Sequence, residues 1–330
     1  MNQRNILVTG GFGFLGTHLV ERLLTEPDTG VHVVDNLSTS FVDVDAFLAR
    51  QQRNPRLTHD ICSVVDFFRE GRAKTKFDEI YHLASVVGPV GVLHHGGQIT
   101  RSIVEDSYLV MEAAMREKAR LCDISTSEIY GGGRDGYCSE NDSKIITSKV
   151  SARLEYATAK LASEIAMINM ARVSELDVVI VRPFNIAGPR QSGKGGFVLP
   201  RFIQQALADE PITVYGDGSM VRAFTHVVDM VDGIVRTARV GKRGEPYNIG
   251  NPANKTSILD LAQRVVAICE SKSRIGLVDP KKLFGPLFEE ANDKYPDADK
   301  AAKDLAWHAK YDLDTVIRDT VEYIRAGRRD

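Results

Sequence analysis

Short apolar runs alternate with longer amphipathic stretches through the first half of the chain. The runs suit strands buried on both faces, which read as continuous apolar segments in parallel sheets. The predicted strands cover residues 6–8, 31–34, 79–83, 121–125 and 178–182. The predicted helices cover residues 14–25, 101–118 and 153–174. This alternation predicts an α/β fold, in which helices cover both faces of a doubly wound parallel sheet.

The pattern changes after residue 182 and predicts a smaller, mixed second part. A glycine-rich connection at residues 191–196 leads into it. The elements predicted beyond it are a helix at 198–208, strands at 212–215 and 247–250, and helices at 258–271 and 312–326. Residues 280–300 are rich in proline, lysine and acidic side chains and are predicted to be irregular. Residues 43–54 have helical spacing and are predicted to cover an edge of the sheet.

Three glycines follow the first predicted strand and precede the first predicted helix. Gly10 would permit a tight turn, Gly13 a close approach of the backbone to a pyrophosphate, and Gly16 close packing of helix on strand. The helix N-terminus would offer free N–H groups to the phosphates. Asp35 ends the second predicted strand, where its carboxylate would bind an adenosine ribose and repel a 2′-phosphate. The pattern therefore predicts dinucleotide binding and favours NAD over NADP. The alternative to dinucleotide binding is an ordinary strand–turn–helix unit with no bound cofactor.

Composition narrows the class of protein. The 330 residues are 43% hydrophobic, enough for one large domain or two unequal ones. A net charge of −2 argues against binding to nucleic acids or membrane surfaces, and no apolar run approaches the ~20 residues of a membrane span. The four cysteines have no metal-like spacing, so we expect reduced thiols and no metal site. With no signal-peptide pattern, we expect a cytoplasmic protein.

Tyr156 and Lys160 stand four residues apart, on one face of a predicted helix. A free tyrosine has a pKa of about 10, and lowering it to about 7 requires about 4 kcal/mol. An ammonium ~4 Å away, at an effective dielectric constant near 20, contributes roughly that much. Tyr156 would then accept the proton of a sugar hydroxyl as hydride leaves the same carbon for NAD+. Lys160 would also hold the nicotinamide ribose, and Thr126, after the strand at 121–125, would hydrogen-bond the reacting oxygen.

Taken together, these motifs resemble those of the extended short-chain dehydrogenase/reductases of the NAD-dependent epimerase/dehydratase family. Members of this family act on nucleotide sugars, and their NAD-binding domain is built on a Rossmann sheet. The matching segments are residues 9–16, 34–37, 60–61, 82–84, 125–131, 156–160, 182–190, 214–229, 247–250 and 296–297. The resemblance implies a homodimer formed through helices 101–118 and 153–174. It also implies an NAD-binding domain at 1–185, to which 225–250 returns, and a nucleotide-sugar domain at 186–330.

The same resemblance implies roles for individual residues. For NAD these are Gly10, Gly13, Phe14, Leu15 and Gly16 at the pyrophosphate, Asp35 and Asn36 at the adenosine ribose, Asp60 and Ile61 at the adenine, and Leu83, Ala84, Ser85, Tyr156 and Lys160 at the nicotinamide ribose. The substrate is expected to be UDP-linked. The residues implied to bind it are Ser127 and Arg153, together with Asn185 near the sugar nucleotide, Tyr215 at the base and Arg222 at the diphosphate.

The overall reaction depends on the step after oxidation of the sugar at C4. Glu128 stands where decarboxylases and 4,6-dehydratases of the family carry an acid, and a carboxylate there can act on C5 or position a leaving carboxylate. The substrate half is most similar to UDP-glucuronate decarboxylases, although Lys294 replaces an arginine and residues 85–97 differ from their loop. UDP-sugar 4-epimerases and 4,6-dehydratases remain alternatives. A non-catalytic NAD-binding protein is a further alternative, disfavoured by the presence of both Tyr156 and Lys160.

Overall fold

The computed structural model describes residues 3–38, 40, 42–131, 137–148, 150–285 and 293–327. The strands are β1 (Arg4–Thr9), β2 (Thr29–Asp35), β3 (Leu57–Ile61), β4 (Glu79–His82), β5 (Arg120–Ile124), β6 (Tyr137–Cys138), β7 (Asp177–Pro183), β8 (Ile186–Ala187), β9 (Ile212–Tyr215), β10 (Val221–Ala223), β11 (Thr225–His226), β12 (Pro246–Ile249), β13 (Lys255–Ser257), β14 (Ile275–Val278) and β15 (Tyr295–Pro296). The helices are α1 (Phe14–Leu24), α2 (Val44–Arg50), α3 (Val64–Arg69), α4 (Pro89–His94), α5 (Ile99–Glu117), α6 (Ala152–Val173), α7 (Val198–Leu207), α8 (Val227–Val240), α9 (Ile258–Cys269), α10 (Pro280–Phe284), α11 (Asp299–Leu305) and α12 (Leu313–Arg325).

A seven-stranded, all-parallel sheet forms the centre of the molecule. Its strand order is β12-β7-β5-β4-β1-β2-β3. Successive side chains of β1 alternate between the two faces, because Ile6 and Val8 pack with α1 and α8 while Leu7 packs with α3, α5 and α6. Both faces of the sheet are therefore buried, and the predicted doubly wound α/β fold is confirmed.

A third apolar core lies in the C-terminal half, where α7, α9 and α12 pack against one another. Fully buried residues of this core include Phe202, Leu261 and Val316. The chain returns to the central sheet between these elements, since β12 pairs with β7 and α8 packs on α1, β5 and β7. Within the described part of the chain, no helix is both long and apolar enough to cross a membrane.

The sequence missed several elements whose apolar pattern is weak. The edge strand β3 buries only Leu57, so it lacks the apolar run that marks the other strands of the sheet. Helices α3, α4 and α8 were also missed. The expectation of an irregular segment at 280–300 is wrong in part, because α10, β15 and the start of α11 fall within it. Residues 286–292 of that segment lie outside the described residues.

Candidate active site

The turn between β1 and α1 is built for close backbone approach. Gly10 has a φ of 71°, and a Cβ there would lie 2.7 Å from the backbone nitrogen of Ala84. A Cβ on Gly16 would lie 2.2 Å from the oxygen of Gly10. Gly13, the N-cap of α1, has no side chain to cap the helix. The first N–H groups of α1, at Phe14 and Leu15, therefore point toward a site that suits a pyrophosphate.

Asp35 sits at the base of this turn. Its Oδ2 accepts the N–H of Phe12 (2.9 Å) and its Oδ1 accepts the N–H of Leu37 (2.8 Å). Burial raises the pKa of Asp35, although these two hydrogen bonds oppose the effect. Each oxygen keeps a further lone pair, so the carboxylate can also accept the hydroxyls of a ribose.

The neighbouring residues predicted to bind the adenosine part are only partly directed toward it. Ile61 lies beside Asp35 in the β2–β3 register and is 47% exposed. Asn36 accepts the N–H of Ser38 (3.0 Å) through its own Oδ1. The carboxylate of Asp60 instead lies 3.1 Å from Nε2 of His32, on the face of the sheet.

The segment after β4 lies against the glycine turn. Leu83 donates its N–H to the oxygen of Thr9 (3.0 Å), and Ala84 donates its N–H to the Thr9 hydroxyl (3.3 Å). The hydroxyl of Ser85 lies 3.4 Å from the carbonyl oxygen of Val86. The carboxyl ends of β1 and β4 thus bring Gly10 and residues 83–85 together, as expected where a parallel sheet binds a ligand.

Helix α6 carries Tyr156 and Lys160 on its buried face. The helix begins at Ser151, whose hydroxyl accepts the N–H of Leu154 (3.2 Å). The Thr126 hydroxyl lies close enough to the Tyr156 phenol to lower its pKa by hydrogen bonding, and the role predicted for Thr126 at the reacting oxygen stays a prediction. Lys160 is 2% exposed and donates from Nζ to the oxygen of Ile124 (2.8 Å).

The electrostatics of Tyr156 differ from the sequence-based argument. Burial raises the pKa of Tyr156, the charges of Glu128 and Asp123 raise it further, and only the hydrogen bond from Thr126 lowers it. Lys160 instead lies within electrostatic reach of two carboxyl groups, those of Asp106 and Asp123. Lys160 is not among the groups that shift the pKa of Tyr156, so the lowering expected from the sequence is not found.

Glu128 is held between two cations. Its Oε2 accepts Nε (2.7 Å) and Nη2 (2.6 Å) of Arg153, and its Oε1 accepts Nζ of Lys294 (2.5 Å). Burial raises the pKa of Glu128, but the two cations outweigh it and hold the pKa well below its usual range. The N–H of Glu128 also bonds the Thr126 hydroxyl (3.1 Å), which places the group beside Tyr156.

Lys294, which contacts Glu128, was not in the set of site residues predicted from the sequence. Its side chain is 3% exposed, and burial together with Arg153 and Arg222 lowers its pKa to about 8, while Glu128 opposes this. The sequence does hold a clue to this residue, because Lys294 stands just before the Pro296-Asp297 pair, which is one of the segments that match the family.

The residues predicted for the nucleotide end lie on the C-terminal part. Arg222 forms an isolated β-bridge with Lys294 and therefore borders the Glu128 group. Asn185 donates to the oxygen of Ala223 (3.4 Å), next to Arg222. Ser127 is buried directly before Glu128, while Tyr215 lies on β9 with the guanidinium of Arg201 3.8 Å from its ring centre.

The sequence of this chain is similar to known nucleotide-sugar enzymes. The family model described as the NAD dependent epimerase/dehydratase family matches residues 6–250. The UDP-N-acetyl-alpha-D-glucosaminuronate decarboxylase of Bacillus cytotoxicus is 30% identical over 99% of this chain and 100% of its own length. UDP-glucuronic acid decarboxylase 2 of Arabidopsis thaliana is 32% identical over 93% of this chain, which spans 65% of that relative.

A solved structure agrees with this similarity. The UDP-glucuronic acid 4-epimerase from Bacillus cereus, solved in complex with UDP-glucuronic acid and NAD, is 25% identical and superposes with a TM-score of 0.84. The match covers 98% of this chain and 100% of that one. The likeness therefore extends over both halves of the chain.

Proposed function

Because the chain belongs to the NAD-dependent epimerase/dehydratase family, we propose that it is a decarboxylase of a UDP-linked uronic acid. The sugar is oxidised at C4, and the 4-keto acid loses its C6 carboxylate as CO2. The enolate that remains takes up a proton from solvent at C5, and the resulting ketone is then reduced at C4. The observation that carries this proposal is the group formed by Arg153, Glu128 and Lys294 beside Tyr156. Two relatives that decarboxylate UDP-linked uronates support it.

The residues around the glycine turn fit NAD. Gly10 and Gly16 leave space only for backbone, the N-terminus of α1 has no side-chain cap and can bind an anion, and Asp35 can accept ribose hydroxyls. When bound, NAD+ supplies the acceptor for the hydride. Lys160 would hold the nicotinamide ribose from its position under Ile124.

Tyr156 is proposed to move the proton of the C4 hydroxyl. In its deprotonated form its oxygen accepts this proton during oxidation and returns it when the ketone is reduced, while the Thr126 hydroxyl favours that deprotonated form. A positioned general base of this kind typically contributes 10²–10⁴-fold to the rate, on the order of the loss expected when it is removed. Tyr156 and Thr126 then stabilise the negative charge that develops on the C4 oxygen as the C5–C6 bond breaks and its electrons move toward the ketone.

The charges at the sugar end favour an acidic substrate. Arg153, Lys294 and Arg222 outnumber the single carboxylate of Glu128, so the group carries an excess of positive charge. A uronate carboxylate and a diphosphate both meet this excess. Glu128 itself is a weak base, because its pKa is held so low, and this disfavours a 4,6-dehydratase that must remove the C5 proton.

A UDP-sugar 4-epimerase is the second candidate. Lys294 cannot bind a carboxylate in the bidentate manner of an arginine, which weakens the case for decarboxylation. The Bacillus cereus relative solved with UDP-glucuronic acid is a 4-epimerase.

Incubation with NAD+ and either UDP-glucuronate or its N-acetylated analogue, followed by mass spectrometry, separates these reactions. Decarboxylation lowers the product mass by that of CO2. An unchanged mass with inverted C4 indicates the epimerase, and loss of water indicates the dehydratase. Tyr156→Phe is the control and is expected to abolish every one of these products.

The proposal also covers the domain boundaries, the oligomeric state and the cellular location. We place the NAD-binding domain at 1–185, with 225–250 returning to it, and the nucleotide-sugar domain at 186–330; the pairing of β12 with β7 supports this division. The side chains of Tyr108 on α5 and Ile165 on α6 are half exposed, which supports a homodimer through these helices. All four cysteines are free thiols, which supports the cytoplasm.

A further inference from the structure

Residues 86–98 cover the catalytic tyrosine, and neither the family resemblance nor the proposed reaction gives them a role. They connect β4 to α5 and contain the short helix α4. Val92 of α4 packs into a buried apolar cluster with Tyr156 and Ile103, and Val86 packs against the same cluster. The segment therefore forms an apolar wall on one side of the phenol.

The carboxylate of Glu155 on α6 binds the end of this wall through hydrogen bonds. Oε2 of Glu155 accepts the N–H of Gly97 (2.6 Å), and its Oε1 accepts both the N–H (3.0 Å) and the hydroxyl (3.2 Å) of Thr100. Helix α5 has no side-chain cap of its own at Gln98. Glu155 thus caps α5 from a neighbouring helix, where a negative charge is favoured by the helix dipole.

Two glycines and a close contact with α6 define the course of the segment. Its ends turn at Gly88 and Gly97, which have φ values of 82° and 87°. A Cβ on Gly96 would lie 3.2 Å from the Cβ of Ala152, so the wall already touches α6 closely. Glu155 precedes Tyr156 in the chain, which couples the position of the wall to the position of the phenol.

We propose that Glu155 is a positioning residue that fixes residues 86–98 against Tyr156. The wall then borders the sugar and keeps water from the phenol and from C4 of the sugar. The effect on substrate rests on the proposed function, whereas the effect on the segment does not. Loss of the carboxylate frees the amides of Gly97 and Thr100 and lets the wall move away.

Hydrogen exchange measured by mass spectrometry tests the structural part. In Glu155→Gln, one carboxylate oxygen becomes an amide group that cannot accept a hydrogen bond. Peptides covering 86–100 are expected to exchange about tenfold faster, with peptides of the buried part of α6 unchanged. Glu112→Gln, at an exposed position on α5, is the matched control. Unchanged exchange at 86–100 in Glu155→Gln overturns the proposal.

Steady-state kinetics of the NAD-loaded enzyme tests the consequence for substrate. Glu155→Gln is expected to raise the KM for the UDP-uronate about tenfold with a smaller change in kcat. Glu155→Asp, which keeps the charge, is expected to recover part of the loss. If exchange accelerates but no uronate reacts with the wild type, the positioning role stands and the proposed function fails. If uronate reacts and neither exchange nor KM changes, the proposed function stands and the positioning role fails.

A second variant keeps the test valid if Glu155→Gln does not fold. Thr100→Val removes one donor to Glu155 at an exposed position of α5 and leaves α6 intact. Its peptides at 86–100 are expected to exchange about threefold faster, in line with the loss of one hydrogen bond of the three. Wild-type exchange in this variant would also overturn the proposal.

Discussion

At the scale of single residues, the chemistry depends on Glu128 being ionised and held. Glu128→Gln keeps the size of the side chain but leaves Arg153 and Lys294 without their carboxylate. We expect kcat for the UDP-uronate to fall by about 100-fold, because the cations reorient and the charge pattern at C5 and C6 is lost. The measurement is the initial rate of CO2 release.

The stability of the same variant must be measured beside its rate. Denaturant unfolding of Glu128→Gln separates a loss of catalysis from a loss of folded protein. Glu112→Gln, exposed on α5, serves as the control. CO2 release by Glu128→Gln within threefold of the wild-type rate would contradict the role proposed for Glu128. If the wild type instead inverts C4 without releasing CO2, and Glu128→Gln does so within threefold of its rate, the enzyme is the 4-epimerase, in which no carboxylate acts at C5.

Asp123 illustrates a buried carboxyl group that reduces stability at neutral pH. Burial raises its pKa from 3.8 to about 6, with Lys160 opposing and Glu164 adding to the increase. Since the pKa is higher in the folded chain, the stabilising protonation is present below pH 3.8 and is lost as the pH rises through about 6. We expect Asp123→Asn to be more stable than the wild type at pH 8 by about 2 kcal/mol.

The pH dependence of that difference is the decisive measurement. Free energies of unfolding from denaturant titrations at several pH values should show the gap between wild type and Asp123→Asn widening from about pH 4 to about pH 7. Asp28→Asn, which changes an exposed carboxyl group, should show no such widening. A gap that is constant with pH would mean that the pKa of Asp123 is the same in the folded and unfolded chain, so that burial does not raise it.

At the scale of elements, Gly13 and Gly16 in and after the turn before α1 have different roles, one in NAD binding and one in packing. A Cβ on Gly16 would lie 2.2 Å from the oxygen of Gly10, whereas a Cβ on Gly13 would lie 3.3 Å from the same atom. We expect Gly16→Ala to cost about 2 kcal/mol of stability, since backbone must move. Gly13→Ala should cost less than about 1 kcal/mol yet weaken NAD binding, because its methyl group occupies the approach to the phosphates.

Denaturant unfolding and NAD titration of the two variants, measured in parallel, check this division. Equal losses of stability in both would contradict it. So would unaltered NAD affinity in Gly13→Ala, because the phosphates would then lie away from the turn.

The extent to which the sequence predicted the molecule also depends on the element. Strand β1 and helix α6 were found within a residue or two, since an apolar run and a repeated apolar face are local signals. The edge strand β3 was missed because a half-exposed strand has no such signal. Glu128 was found from its motif, but its contact with Lys294, 166 residues away, depends on how the C-terminal part folds back. The raised pKa of Tyr156 was likewise out of reach, because it arises from burial of the whole site.

At the scale of the whole molecule, the cofactor side and the substrate side are joined directly. Arg190 binds both carboxylate oxygens of Glu21 on α1 at 2.8 Å, and His18 of the same helix contacts the oxygen of Pro189 (3.0 Å). The helix proposed to face the pyrophosphate is thereby attached to the segment that leads into the C-terminal part.

The proposed homodimer requires an apolar surface on α5 and α6. Tyr108 and Ile165 are 48% and 51% exposed on α5 and α6, which lie on one face of the central sheet. Burying these apolar side chains against a second copy would stabilise a dimer, and a buried unpaired charge there would oppose it. We therefore expect the wild type to sediment as a dimer and Ile165→Arg to sediment as a monomer at the same micromolar concentration.

The control for that substitution lies on the opposite face of the sheet. Val240, at the end of α8, is 58% exposed, so Val240→Arg adds the same charge to an equally exposed apolar position away from α5 and α6. It should leave the dimer intact. Circular dichroism of both variants tests whether the monomer is folded, since a monomer that arises from unfolding says nothing about the interface. If Ile165→Arg remains a folded dimer, the two copies associate elsewhere, and the exposed faces of α5 and α6 need another explanation.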